Sequence, residues 1–291
     1  MSKIGAENEK GDLVQMSQNV DPETVNSFGD EWERHRQDNL SEGELQEMWL
    51  SYFSIFPWDD LPKHAVGFDM GSGTGRWAQF VAPRVGFLHI IDAAAPALRV
   101  AEDNLSGIDN VQFHNSTTET VEIPVSSCDF GYSLGVLHHI PDTQAALADC
   151  VRLLKPGAPF LVYLYYRFDN RPKWFLALWR ISDFMRKIIY RLPGKAKATV
   201  TDLIAFLVYW PLSRVSRILE KIGFSISSLP LSYYRHSSVA TLRTDSRDRF
   251  GTPLEQRFTK MEIRKMMQKA GLVEIVFSDR EPFWVALGRK E

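Results

Sequence analysis

Between residues 64 and 166, short apolar runs alternate with stretches whose apolar residues recur every three or four positions. The runs at 65–69, 87–92, 111–114, 128–134 and 159–165 read as strands, and 77–84, 95–105 and 143–154 as helices between them. Lys155-Pro156-Gly157 stops the last of these helices. Such alternation predicts a parallel, doubly wound α/β sheet, because each crossover must return the chain to the same end of the sheet through a helix. Upstream, Pro22 to Phe56 carries Val25, Phe28, Trp32, Leu45, Met48, Trp49, Tyr52 and Phe53 at three- and four-residue steps, giving two amphipathic helices. Residues 167–222 break the rhythm: 174–191 and 201–222 read as helices around the breaker run Leu192-Pro193-Gly194-Lys195. Residues 225–258, rich in Ser, Arg and Tyr, read as loop. Thr259 then caps a helix through Ala270, Gly271 ends it, and 273–277 and 283–288 close the chain as strands, bringing the sheet to seven. The expected organisation is a disordered tail (1–22), N-terminal helices (23–60), a sheet domain (61–166), an inserted helical lobe (167–258) and a helix with two strands completing the sheet (259–291).

Length and composition add limits rather than a function. A chain of 291 residues buries a core without disulfides or a metal. The hydrophobic share of 44%, charged share of 24% and net charge of −2 are ordinary for a globular protein and argue against a partner held by a strongly basic surface, such as nucleic acid. Cys128 and Cys150 stand among apolar residues without metal-ligand spacing and read as buried thiols. The first eighteen residues lack the apolar core of a signal peptide, and the longest apolar stretch, 203–212, is too short to span a bilayer; a cytoplasmic location is expected.

The chemistry concentrates where the first strand runs into Asp69-Met70-Gly71-Ser72-Gly73-Thr74-Gly75. Glycines there permit positive φ and let a ligand reach the backbone, and the helix that follows offers its free amides. A dinucleotide fingerprint would put its third glycine where Arg76 stands. An acidic residue two positions before the first glycine instead suits a ligand with a cationic aminoacyl tail. The second strand ends at Asp92, whose carboxylate can accept both hydroxyls of a ribose.

With Cys128-Asp129-Phe130-Gly131-Tyr132-Ser133-Leu134-Gly135-Val136-Leu137-His138-His139-Ile140-Pro141-Asp142 and Leu153-Leu154-Lys155-Pro156-Gly157 added, the stretch 65–166 resembles class I S-adenosylmethionine-dependent methyltransferases, particularly the branch with quinone-biosynthesis and sugar methyltransferases. The resemblance implies a mostly parallel seven-stranded Rossmann-like sheet and S-adenosyl-L-methionine as cofactor. It implies that Asp69, Gly71, Ser72, Gly73 and Gly75 form the cofactor turn, with Gly71 and Gly73 against the methionine part and Asp92 on the ribose. Ser116 and Thr117 fall where the family contacts adenine, although the usual acidic residue is missing there. Leu134 and Gly135 would flank the methyl group. Phe28-Gly29-Asp30-Glu31-Trp32 and Arg249-Phe250-Gly251-Thr252-Pro253-Leu254-Glu255-Gln256-Arg257-Phe258 resemble methyltransferases of bacterial polysaccharide and glycan pathways, pointing to a saccharide or lipid-linked acceptor.

Methyl transfer from a sulfonium needs orientation and a place for the acceptor's proton. His138 and His139, after the fourth strand, are base candidates; the rival reading has one bonded to loop backbone and the other merely packed. Tyr233 and His236, in a polar run with Arg235, Arg243, Asp245, Arg247 and Asp248, are candidates to orient the acceptor, or belong to a solvated loop. Trp32 and Phe28 close the cofactor pocket or simply join the core. No Asp/Glu/His set has metal spacing, and no metal is expected. Along the inserted helices Trp174, Phe175, Leu178, Trp179, Ile181, Phe184, Ile188 and Ile189 adjoin Lys173, Arg180, Arg186, Lys187 and Arg191. This reads first as a cap burying its aromatics on the sheet domain or on a second subunit, and second as a peripheral membrane contact spanning 174–212 at the inner membrane face. Three other functions compete: a cofactor-binding regulatory protein without turnover, an NAD-dependent oxidoreductase, and a nucleic-acid methyltransferase. Arg76 and the 153–157 motif argue against the second. The near-neutral charge and the missing Asn/Asp-Pro-Pro-Tyr/Phe tetrad argue against the third.

Overall fold

A computed structural model describes residues 19–34, 42–226 and 229–291; most of the expected N-terminal tail lies outside them. Seven strands form one sheet: β1 (Val66–Met70), β2 (Phe87–Asp92), β3 (Val111–Asn115), β4 (Phe130–Leu134), β5 (Pro159–Tyr163), β6 (Leu272–Phe277) and β7 (Val285–Lys290). Their order is β3-β2-β1-β4-β5-β7-β6, parallel except for β7, which runs antiparallel to both neighbours. Strand order reverses between β1 and β4, and the carboxyl ends of parallel strands diverge there to leave a crevice.

Side chains alternate across the sheet as the two-residue period requires. Phe68, Ile91, Phe160 and Val162 pack on one face against α5 (Thr143–Leu153) and α10 (Lys260–Lys269). On the other, Leu88, Ile90, Phe130 and Leu161 pack against α2 (Glu42–Tyr52), α3 (Ala78–Val81) and α4 (Ala95–Asn104). Close approach of β1 and β4 needs two glycines: a Cβ at Gly67 would stand 2.1 Å from the Phe130 ring, and one at Gly131 would stand 2.2 Å from Phe68. Both cysteines are buried thiols, as expected. Thr259 and Glu262 close a reciprocal capping box on α10.

The lobe inserted after β5 comprises α6 (Lys173–Ile189), α7 (Gly194–Ile204), a wider turn at Ala205–Tyr209, α8 (Trp210–Lys221) and α9 (Val239–Gly251). Three sequence expectations are corrected here and at the N-terminus. The helix expected at 201–222 starts at Gly194, because Pro193 serves as its cap and not as part of a loop. The stretch read as loop contains α9, a full helix. Its buried face includes Thr241, Ser246, Arg247 and Arg249, so the apolar period that betrays most helices is absent. Those polar groups find partners inside the protein. Ser238 caps the helix by accepting from the Thr241 amide, Thr241 Oγ1 donates to Glu44 Oε1 (2.6 Å), and Ser246 Oγ donates to the Thr201 carbonyl (2.8 Å). Finally, the last residues of the expected disordered tail are fixed: the Asn19 side chain donates to the Asp142 carbonyl and accepts from its amide (2.9 and 2.7 Å).

The apolar residues of α6 also divide differently from the expected single buried face. Phe175 meets Phe168, and Ile189 enters the small lobe core with Tyr209, Leu242 and Phe250. Trp174, Leu178, Ile181, Phe184 and Ile188 face outward.

Candidate active site

β1 delivers the chain to the glycine turn at the crevice. Gly71, Gly73 and Gly75 have φ of +78°, +56° and +73°, a region costly for any residue with a Cβ. At Gly71 a Cβ would also stand 2.3 Å from Val136, in the loop after β4. The amides of Gly71 and Ser72 donate to the Ile91 carbonyl, tying the turn to β2. The end of β2 answers: Asp92 Oδ2 accepts from the Gly73 amide and Oδ1 from the Ala94 amide, both at 2.8 Å. Burial raises the Asp92 carboxyl above the usual range, and these two amide bonds work the other way by favouring the carboxylate.

Above the turn opens a cavity. Trp32, Gly71, Ser72, Gly73, Asp92, Ser116, Thr117, Leu134, Gly135 and His139 line it together. Helix α1 (Pro22–Arg34) covers it with Phe28 and Trp32. Ser72 and His139, both lining residues, each carry a buried side-chain polar atom without a hydrogen-bond partner, Ser72 Oγ and His139 Nε2.

Two expected cofactor residues do not line this cavity. Gly75 is buried, where a Cβ would press on Leu105 at 3.0 Å, so its part is in turning the chain. Asp69 is buried opposite Tyr132 in the β1–β4 register, its Oδ2 unpartnered, and burial pushes its carboxyl up to about 8.

The base candidates separate sharply. His139 Nδ1 lies 2.6 Å from the Leu254 carbonyl, an acceptor only, so this nitrogen carries the proton. In the neutral ring that leaves Nε2 with the lone pair. His138 is fully buried, neither ring nitrogen has a partner, and its ring packs 3.9 Å from Tyr165. Burial first, then His139 and Arg257, hold it well below the ordinary histidine range, which keeps it neutral and packed. His236 is exposed and pairs with Glu220 at 3.2 Å, away from the cavity. Tyr233 lies outside the cavity, within a second group of polar side chains next to it.

Sequence reading brought Tyr233, Asp245 and Asp248 together in one polar run but missed Tyr52, Arg76 and Tyr165, which come from other segments of the chain. Arg76 lines the cavity with its guanidinium 4.5 Å over Trp77, and its charge acts on Tyr52, Tyr233 and Asp245. Tyr52 stacks near Trp77 and Tyr163 (5.1 and 5.2 Å). The Tyr165 hydroxyl donates to Asp248, and Tyr234 bonds Asp245, whose carboxyl burial pushes up to about 6. Phenols from α2, the segment after β5 and the lobe thus gather around two carboxylates of α9 beside the cavity.

The 249–258 segment fixes the floor of this arrangement. Glu255, its side chain wholly buried, bonds Arg249 (2.9 Å) and Arg257 (2.7 Å); burial opposes its charge, but the two guanidinium groups outweigh it and hold the carboxyl below its usual range. From this anchored segment the Leu254 carbonyl holds His139, and the Gln256 amide and side chain hold the backbone of His138 and Ile140.

A doubly wound sheet with an antiparallel seventh strand, a glycine turn and an acidic β2 end defines an α/β protein built to hold a nucleoside cofactor at its switch point. Residues 68–162 match the family model described as a methyltransferase domain. The ubiquinone biosynthesis O-methyltransferase of Hahella chejuensis is 30% identical over 178 residues, covering 60% of this chain and 71% of that protein. An uncharacterised methyltransferase of Mycobacterium bovis is 30% identical over 112 residues, 38% of this chain, and the match spans only 56% of that relative. Among solved structures, human N-acetylserotonin methyltransferase in complex with S-adenosylmethionine shares the fold at a TM-score of 0.51, with 17% identity over 91% of this chain and 57% of that one. The chain belongs to the class I S-adenosylmethionine-dependent methyltransferases. Its family, sheet and cofactor class are therefore those that the motifs at 69–75, 92, 128–142 and 153–157 imply.

Proposed function

We propose that the protein transfers the methyl group of S-adenosylmethionine to an oxygen or nitrogen of a small-molecule acceptor held between the cofactor cavity and the inserted lobe. The observation that carries this reading is the position of His139: its Nδ1–H is committed to Leu254, its Nε2 is without a hydrogen-bond partner, and the residue lines the same cavity as Leu134 and Gly135. The cofactor, when bound, supplies an electrophilic methyl on a sulfonium. Gly71 to Gly73 would receive its aminoacyl part and Asp92 its ribose hydroxyls, with Ser116 and Thr117 near the base. His139 Nε2 would take the proton that the acceptor's hydroxyl or amine gives up as its lone pair attacks the methyl carbon. Tyr233 belongs to the group that would orient the acceptor, with Tyr52 and Asp245. His138 would act by packing and His236 by pairing with Glu220.

A hydroxyl-rich acceptor, saccharide or quinol-like, suits a wall of phenols and carboxylates. The motifs at 28–32 and 249–258 favour a glycan precursor, and the ubiquinone-pathway relative favours a quinol. Calorimetric titration with S-adenosylmethionine, S-adenosylhomocysteine and NAD tests the cofactor half. Micromolar binding of the first two is expected, weakened in Asp92→Ala by about 1.5–3 kcal/mol, the worth of charge-assisted hydrogen bonds. Binding of NAD alone would overturn the reading, and unchanged affinity in Asp92→Ala would remove the ribose assignment. If both adenosyl compounds bind but no saccharide or quinol acceptor is turned over, the non-catalytic alternative gains.

A further inference from the structure

Among the described residues, the outer face of the lobe is the largest unexplained feature. On α6, Trp174, Leu178, Ile181, Phe184, Met185 and Ile188 point outward, with Ile181 62% and Phe184 66% exposed. At 100° per residue these positions fall on one stripe, and Lys173, Arg180, Lys187 and Arg191, also exposed, fall along one edge of it. The continuous helical run from Gly194 to Lys221 repeats the pattern: Leu203, Leu207, Trp210, Val215 and Ile218 are exposed, Leu207 by 72%, with Arg217 and Lys221 among them.

An apolar stripe bordered by lysine and arginine is what a helix needs to lie in a lipid interface, its aliphatic side dipping below the headgroups. Charge selects among occupants. Residues 173–224 contain ten Lys and Arg against three Asp and Glu, a net of +7 in a chain whose total is −2. Asp183, Asp202 and Glu220, the three acids, are each tied to an arginine: Arg186, Arg243 and Arg235. A second copy of the same face would bring two like net charges of +7 together, so self-association is disfavoured. Nucleic acid would accept the charge but not the exposed Ile, Leu, Phe and Trp. An anionic bilayer accepts both. None of the described helices is long and apolar enough to cross a membrane, so the contact is one of lying on the surface.

We propose that α6 and the α7–α8 run form a membrane-docking face that binds anionic lipid, a property that does not depend on the reaction proposed above. The test is co-sedimentation of the full-length protein with vesicles of phosphatidylcholine alone and of equimolar phosphatidylcholine and phosphatidylglycerol, alongside light scattering without lipid. Binding to the anionic vesicles, reduced by salt and nearly absent for neutral ones, is expected. Ile181→Asp with Phe184→Asp should weaken it about tenfold or more, and so should Arg180→Glu with Lys187→Glu, while S-adenosylhomocysteine affinity stays unchanged. These side chains are exposed, so retained cofactor affinity certifies the fold of each variant. Failure to bind either vesicle, equal binding to both, or a lipid-free dimer that the aspartate variants dissociate would each overturn the proposal.

Discussion

At the residue scale the site turns on which polar atoms the protein has already used. His138 and His139 are adjacent and chemically identical, yet His138 has both nitrogens buried without a partner, whereas His139 has Nδ1 engaged, Nε2 unpartnered and a place in the cavity wall. His139→Ala should therefore abolish turnover while leaving S-adenosylhomocysteine affinity intact; normal turnover would remove it from the chemistry. Asp69 makes a second, independent prediction. Its carboxyl is raised to about 8 by burial, whereas in the unfolded chain it titrates in the ordinary carboxylate range. The folded state thus holds a proton that the unfolded state has lost. Stability is complete below the unfolded value and declines as pH rises towards and through about 8. Asp69→Asn should flatten that decline in thermal melts recorded across this window, by at least about 2 kcal/mol at its upper end. Parallel melting profiles for the two proteins would exclude the buried acid as the cause.

At the element scale, the structure is held by segments that look like loop. Helix α9 buries Thr241, Ser246 and Arg249 and satisfies them with a carbonyl and carboxylates from other elements. The 249–258 segment does the same with Glu255 between two arginines. Glu255→Gln would leave Arg257 as an uncompensated buried cation and Arg249 with only its longer contact to Asp183 (3.9 Å), and a loss of about 3 kcal/mol in denaturant unfolding is expected. Because Leu254 and Gln256 hold the histidine loop, turnover should fall in the same variant while the protein remains folded. A variant as stable and active as the parent would show that the two cations find other partners. The shared motif at 249–258 is thereby given a mechanical task, that of fixing His139, where sequence alone suggested only a kind of acceptor.

At the scale of the whole molecule, charge is unevenly divided. With +7 in residues 173–224 and −2 overall, the remainder of the chain is acidic by nine charges. The lobe therefore presents a cationic, apolar outer side, while its inner side carries Asp245, Asp248 and the phenols beside the cofactor cavity. Lipid binding that falls with salt is the signature of that division.

The seven strands, the glycine turn, Asp92 and the cap at Thr259 were legible in the sequence because each depends on local rules: a two-residue period, positive φ, a side chain bonding its own helix end. Nearly all residues expected around the cofactor meet at one cavity for the same reason, since strand ends and the turns after them converge at the switch point of the sheet. Tertiary structure alone decided the rest. Which ring nitrogen of His139 carries the proton depends on a carbonyl 115 residues away. Arg76, Tyr52 and Asp245 become neighbours only when α2, the glycine turn and α9 pack together. Polar residues that suggest a solvated loop can fill a helix interior once distant partners satisfy them, and an apolar run that suggests a core can face outward when the core is already full. Periodicity reports what one segment can bury; what it meets there is settled by the other segments.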